Sequence, residues 1–312
     1  MVETANVVAA SRRSGLGEIQ HVRRRTGGEL SEVYEVRGTC RDDSLIVKTY
    51  APEWEWKQRK EVHVYGLVEP VAPGLIPRIL DVRKSGEVDD LAYTVMTCLP
   101  GRPLSETAVA LDASSLRYLY RQVGETVRAI HTLQQNAFGY LVEEIVDAQP
   151  DNAAYVHAQF SKTLAALSET DVPSELIRQV EQRLDAAGSA LLQPVAPVLC
   201  HNDLHEGNLL VDDATGAWSL SGVIDVENAI AADPLHDLAK IDCYSIRDHP
   251  AKAAALAEGY RLVLDPLEQV RYRLYRIYHM IELLAWFHRI GQQERLAVIT
   301  RQLTDYVSDA YA

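Results

Sequence analysis

Hydrophobic and polar positions change their spacing near residue 100. Upstream, residues 32–36 and 45–50 carry strand-like apolar side chains, with polar turn residues at Gly38 and 41–44 between them. Residues 79–83 and 91–99 form a second expected hairpin around a turn at 85–90. Between the two pairs, residues 53–68 have helical character, and Pro70, Pro73 and Gly74 end it. Downstream of Pro100-Gly101-Arg102-Pro103, apolar residues recur at helical spacing: Leu116, Leu119, Tyr120, Val123, Val127 and Ile130 mark one buried face. Further helices are expected near 151–168, 175–192, 251–264, 267–290 and 293–309, with Ser174 as the cap of the second. One β-like exception runs from 198 to 230. There, two short apolar runs, 207–211 and 220–226, flank the turn 212–216, and polar residues crowd their ends.

The pattern predicts a small antiparallel β lobe with one helix over 1–97, a hinge at 98–103, and a mainly helical lobe over 104–312. That is an α+β class. Composition narrows the setting. Of the 312 residues, 47% are hydrophobic, enough to fill a sizeable core, and with 24% charged residues global disorder is not expected. The formal net charge of −13 argues against a nucleic-acid partner, which needs a basic face, and suits a cationic ligand. Cys40, Cys98, Cys200 and Cys243 form no C-x-x-C pair and fit no zinc spacing, so each reads as a buried or half-buried thiol in a reducing compartment. No secretory signal pattern opens the sequence, and the apolar runs are too short or interrupted to span a bilayer. A cytoplasmic protein with no membrane partner is the expectation; the residues do not fix the oligomeric state.

The chemistry concentrates in His201-Asn202-Asp203-Leu204-His205-Glu206-Gly207-Asn208. Phosphoryl transfer from a nucleotide needs a carboxylate to orient and deprotonate a hydroxyl, oxygen ligands for Mg²⁺, and a cation for the phosphate tail. Asp203 and Asn208, five residues apart, supply a base and a neutral hard ligand from one tight loop. Asp225 ends the apolar pair Val223-Ile224, seventeen residues after Asn208, and a hairpin would bring the two together.

These residues resemble the aminoglycoside phosphotransferase and choline kinase superfamily, relatives of the protein kinases with a bilobal protein-kinase-like fold. The loop pattern H-x-D-x-x-x-x-N is matched by His201, Asp203 and Asn208, and the strand end I-D-x-E/D by Ile224, Asp225 and Glu227. The D-P-x-x-D-L segment is matched by Asp233, Pro234, Asp237 and Leu238. The resemblance implies Asp203 as catalytic base and Asn208 and Asp225 as Mg²⁺ ligands, with support from His201, Glu227, Asp233 and Asp237. It further implies that Lys48 reaches the phosphates of ATP or GTP and that Glu61 holds Lys48, with Glu53 and Glu55 as competitors for that place. Gly27, Gly28 and Ser31 would stand at the phosphate-covering loop. Residues 96–99, including Met96 and Cys98, would read the purine edge. Helices near the end of the chain line the acceptor cleft in this superfamily, so His205, Tyr278 and Glu282 are implied acceptor contacts. Val226 departs from the family, in which many relatives carry an aromatic residue.

Plainer readings stand beside these. Asp and Asn in polar loops are often turn formers, and Gly27-Gly28 could be a simple hairpin turn. His201 and His205 flank Asp203 as zinc ligands might in a hydrolase, but no third ligand stands at a sensible spacing. His131, at a helix end, reads as a dipole partner or core residue. With no D-F-G, no A-P-E after the 201–208 loop and little room between Asp225 and Asp237, a protein kinase is disfavoured. The sequence therefore points to a Mg²⁺-dependent kinase for a small hydroxylated molecule. An aminoglycoside or other hydroxylated antibiotic comes first, ahead of a metabolic acceptor such as choline, homoserine or a sugar. An inactive nucleotide-binding scaffold is the alternative from a different class.

Overall fold

A computed structural model describes residues 7, 15–25, 31–40, 44–86, 92–170, 172–246 and 249–308. In chain order the strands and helices run β1 (Ile19–Arg25), β2 (Ser31–Gly38), β3 (Leu45–Tyr50), α1 (Glu55–Val68), β4 (Ile79–Arg83), β5 (Ala92–Thr97) and β6 (Arg102–Pro103). Then come α2 (Ala113–Ile130), β7 (Phe138–Leu141), β8 (Ile145–Gln149), α3 (Asn152–Ser168), α4 (Ser174–Ala186), β9 (Val198–Cys200), β10 (Leu209–Asp212), β11 (Ser219–Val223) and β12 (Ile230–Ala232). The chain ends in α5 (Pro234–Ile241), α6 (Pro250–Tyr260), α7 (Pro266–Arg289) and α8 (Gln293–Ser308).

Two compact units result. The first takes the described residues of 1–115 together with Leu141–Glu144 and Glu206–Asn228. Its five-stranded antiparallel sheet has the order β1-β2-β3-β5-β4. Directly opposed residues share a face, so register assigns the two sides. Tyr34, Val47 and Val95 align on one rung and join Val36, Leu45 and Tyr93 in the apolar core of this unit. On the other face, Val33, Lys48 and Thr94 align, and so do Ile46 and Met96. That face receives α1. A second sheet, β11-β10-β6, carries the 206–228 hairpin. Here Gly101 adopts φ +93, and a Cβ would lie 2.3 Å from the Val211 carbonyl, so glycine is required where β6 approaches β10.

The second unit comprises Leu116–Tyr140, Ile145–His205 and the described residues from Ala229 onward. Its four-stranded sheet, β8-β7-β12-β9, is accompanied by helices α3 to α8. The longest, α7, starts with a capping box: Asp265 accepts from the amides of Leu267 and Glu268, and Glu268 accepts from the Asp265 amide. Among the described residues, no helix is long and apolar enough to cross a membrane.

Several expectations change at this level. Ser174 does not cap its helix; Pro173 holds the cap position with extended backbone, and no side chain caps the end. The expected helix 175–192 stops at Ala186, followed by a separate turn, Gly188–Leu191. The β7–β8 hairpin was not expected: its strands have only four and five residues, too few to establish a period. β1, rich in Arg and half-exposed, also lacked an apolar signature. Cys40 is exposed, against the expectation of a buried or half-buried thiol.

Candidate active site

In the first unit, the middle strand β3 places Lys48 in a buried position, and α1 sets Glu61 against it at 3.1 Å. The competitors lie elsewhere: Glu55 accepts from the Ser85 amide and pairs with Arg59, and Glu53 is exposed. Two further carboxylates reach Lys48, Asp225 at 3.7 Å and Glu227 at 3.7 Å. Burial alone would push the Lys48 ammonium down, but Glu61, Asp225 and Glu227 together hold it above the ordinary lysine value. Glu61 is itself braced by the hydroxyl of Tyr50. Glu227, in the 3₁₀ turn Val226–Asn228, also takes Lys57 at 3.2 Å.

The 206–228 hairpin explains why residues seventeen apart in sequence act together. β10 and β11 pair Leu209 with Val223, and the Ile224 amide donates to the Asn208 carbonyl at 3.0 Å. Asn208 is buried, and Asp225 follows directly with φ +66, a left-handed conformation uncommon outside glycine. Its backbone amide donates to the Tyr65 hydroxyl at 3.1 Å. The Asp225 Oδ1 atom is buried yet accepts no hydrogen bond among the described residues. A desolvated carboxylate oxygen without a hydrogen-bond donor, in a cavity that Asn208 also lines, fits a hard divalent cation.

Lys48, Glu61, Asn208, Asp225 and Glu227 line one cavity of about 480 Å³, together with Ser31, Met96 and Cys98. Val33 and Ile46 supply apolar walls, and Arg23 and Arg25 add cations at its edge. Gly27 and Gly28 lie outside the described residues. Tyr65 and Lys57 were not singled out from sequence. Tyr65 had a legible signal all the same, since it stands four residues after Glu61 and shares its helix face.

The remaining expected residues belong to the second unit, whose boundary falls between His205 and Glu206. Asp203 lies on the loop after β9, where its carbonyl accepts from the His205 amide at 3.1 Å. The loop is held from below by Asp237, which accepts from the amides of His201 at 2.7 Å and Asn202 at 2.6 Å. Asn202 adopts φ +57, so the turn depends on these anchors. His131 donates a third contact to Asp237, at 3.2 Å, and its other ring nitrogen meets the Tyr260 hydroxyl at 2.8 Å. Burial pushes the Asp237 carboxyl up, but the hydrogen bonds and charge of His131 outweigh it and bring the group down to about 2. Cys200 lies beside His131 and Asp237 at metal-ligand spacing. Burial pushes its thiol up and keeps it neutral, and the Asp237 oxygens are already committed to the loop.

The segment 233–238 has a separate mechanical logic. Asp233 caps α5 by accepting from the Leu235 amide, with Pro234 at the first helical position. Its other oxygen takes Arg271 at 2.8 Å and the Tyr275 hydroxyl at 3.0 Å from α7. Tyr278 is buried against Phe160 and His236. Glu282 pairs with Lys240 at 3.4 Å and His279 at 2.7 Å, and these partners hold its carboxyl well below the ordinary value despite burial. Lys240 also feels the charge of Asp203.

No curated protein sequence matches the chain. Solved structures do. A thermostable mutant of aminoglycoside phosphotransferase APH(4)-Ia, in ternary complex with ADP and hygromycin B, aligns with a TM-score of 0.72 at 19% identity, covering 98% of this chain and 99% of that one. The GDP and kanamycin complex of APH(2")-IIIa aligns at 0.69 and 14% identity, covering 99% of each chain. The GDP complex of wild-type aminoglycoside 2'-phosphotransferase-IIIa aligns at 0.69 and 14% identity, covering 98% of each. These likenesses establish the protein-kinase-like α+β fold. The model of the phosphotransferase enzyme family matches residues 21–273, and the chain belongs to that family.

Proposed function

We propose that this protein is a Mg²⁺-dependent kinase that moves the γ-phosphate of ATP or GTP to a hydroxyl of a small molecule, an aminoglycoside or another hydroxylated antibiotic. The observation that carries the reading is the convergence of Lys48, Glu61, Asn208, Asp225 and Glu227 on one cavity. Lys48 positions the nucleotide phosphates, and Glu61 fixes the direction of its ammonium. Asn208 and Asp225 hold the metal, and Glu227 steadies Lys48 and Lys57. The metal, when bound, neutralises charge on the phosphates. Asp203 accepts the proton of the attacking hydroxyl, and Asp237 sets the backbone of its loop. Ser31, Met96 and Cys98 contact the nucleotide. Gly27 and Gly28 belong to the same proposed phosphate-covering loop. His205, Tyr278 and Glu282 are proposed on the acceptor side, with Tyr278 and Glu282 acting as walls braced by Lys240 and His279.

The acceptor class draws support from two sources. Structures of the same fold hold hygromycin B or kanamycin. The net charge of −13 suits polycationic sugars. Four free cysteines and a nucleotide donor favour a reducing cytoplasmic setting.

Nucleotide turnover against a panel of hydroxylated antibiotics, with choline, homoserine and simple sugars as competitors, tests the reading. One antibiotic should stimulate turnover, and Asp203→Ala should lower it by about 10²–10⁴-fold while nucleotide affinity holds. Near-normal turnover in that variant would remove Asp203 as the base. Stimulation by a metabolic alcohol alone would replace the acceptor class and leave the kinase chemistry standing.

A further inference from the structure

We infer that Tyr65 is a positioning residue for the metal-binding carboxylate, through a hydroxyl that ties the Asp225 backbone to α1, the helix that also carries Glu61. The inference rests on the proposed role of Asp225 as a metal ligand and goes beyond it.

Tyr65 is buried on α1, one helical turn after Glu61. Its hydroxyl accepts the Asp225 amide at 3.1 Å, across 160 residues of sequence. The phenol proton is firmly held, because burial and the nearby charges of Glu61 and Asp225 push its ionisation well up. One neutral hydroxyl therefore accepts from the Asp225 amide. Burying such a group is costly unless its hydrogen bond is made, and a phenylalanine would serve the packing equally well.

The bond falls at a position that needs it. Asp225 is held at φ +66, a strained backbone state for a residue with a Cβ. An amide–hydroxyl bond offsets that strain and selects this one backbone state. The selected state turns the carboxylate so that Oδ1 is buried, 3.7 Å from Lys48 and, among the described residues, without a hydrogen bond. Tyr65 lines the same cavity. By this reasoning the hydroxyl sets where the carboxylate points, and α1 sets the hydroxyl. The phosphate-binding lysine and the metal carboxylate share one mechanical reference.

The test uses the full chain with ADP and reads Mn²⁺ binding by electron paramagnetic resonance. Tyr65→Phe should weaken Mn²⁺ affinity by about 10-fold, the effect of losing an outer partner of a ligand, and change metal-free ADP affinity less than about twofold. Tyr50→Phe is the matched control, because it removes a hydroxyl from Glu61 without touching Asp225. Equal weakening in both variants would route the effect through Glu61 and overturn the inference. If Asp225→Asn abolishes Mn²⁺ binding and Tyr65→Phe leaves it unchanged, the metal reading survives and the inference fails. If Asp225→Asn leaves Mn²⁺ binding intact, both fall. Should Tyr65→Phe not fold, amide exchange in the wild-type chain decides: the Asp225 amide should be protected, and exchange at the free-peptide rate would sink the proposal.

Discussion

Asp225 and Asp237 are aspartates of the same family pattern, and the protein uses them in opposite ways. The Asp237 side chain is 0% exposed, and its two oxygens accept from two backbone amides and a histidine. The Asp225 side chain is 38% exposed, and the hydrogen bond at this residue is made by its own amide. One carboxylate has its acceptor capacity committed to the fold. The other is oriented through its backbone and keeps an oxygen, 3.7 Å from Lys48, that accepts no hydrogen bond among the described residues. A carboxylate whose lone pairs already carry amide hydrogen bonds cannot exchange a ligand cheaply. One fixed by its main chain can.

The largest expected effect follows from this contrast. Asp237→Asn keeps the shape but turns an amino group toward backbone donors, and breaking such a buried charged network costs about 3–5 kcal/mol. Urea unfolding should report that loss. The same change at Asp225 should alter stability by less than about 1 kcal/mol, because its ion pair with Lys48 is long and partly exposed. Equal losses at both sites would erase the distinction. Acid titration sharpens it. The Asp237 carboxyl drops from its ordinary 3.8 to about 2 on folding. Its contribution is therefore complete above about pH 4 and is lost as pH falls toward 2, where the unfolded chain binds the proton first. Asp237→Asn should flatten that limb of the stability curve.

A second, smaller effect separates fold from function within the first unit. Lys48→Met leaves the Glu61 carboxyl buried without its cation. The cost falls near the lower end of the range for broken buried pairs, about 3 kcal/mol, because the Tyr50 hydroxyl remains. Glu61→Gln added to Lys48→Met should recover most of that loss, since a neutral amide needs no counter-charge. Nucleotide affinity should not recover if the Lys48 ammonium holds the phosphates as proposed. Calorimetry on the single and double variants checks both halves. Joint recovery of stability and nucleotide binding would mean that Lys48 serves the core alone.

How much of this was legible beforehand follows from where the chemistry is local. The loop at 201–208 and the strand end at 224–227 declare themselves because each packs its polar residues within a few positions. The Lys48–Glu61 pair was readable because strand and helix are consecutive, although Glu53 and Glu55 had to be eliminated by geometry. Tyr65 and Lys57 were not found, because their partners, Asp225 and Glu227, lie 160 and 170 residues away. The sheet of the second unit stayed hidden for a different reason. Strands of three to five residues, β7, β8 and β12, are specified by their neighbours rather than by their own period. Asp233 illustrates both limits: its capping of α5 follows from the Asp-Pro pair, whereas its bonds to Arg271 and Tyr275 needed the packed α7.

The smallest expected effect applies the same distinction to two helix starts. Ser174 looks like a cap, yet it stands one residue inside α4. The Pro173 carbonyl already accepts from the amides of Leu176 and Ile177, and no side chain takes part. Asp265 precedes α7, and its side chain accepts from two amides. Asp265→Ala should cost about 1 kcal/mol, the usual loss of a side-chain cap. Ser174→Ala should stay within about 0.5 kcal/mol, as an exposed substitution without a lost bond does. Thermal unfolding of the two variants in parallel resolves the difference. If Ser174→Ala cost as much as Asp265→Ala, the hydroxyl would be capping in solution and the start of α4 would sit one residue later. A cap is set by which oxygen meets the free amides, and residue type alone does not say which.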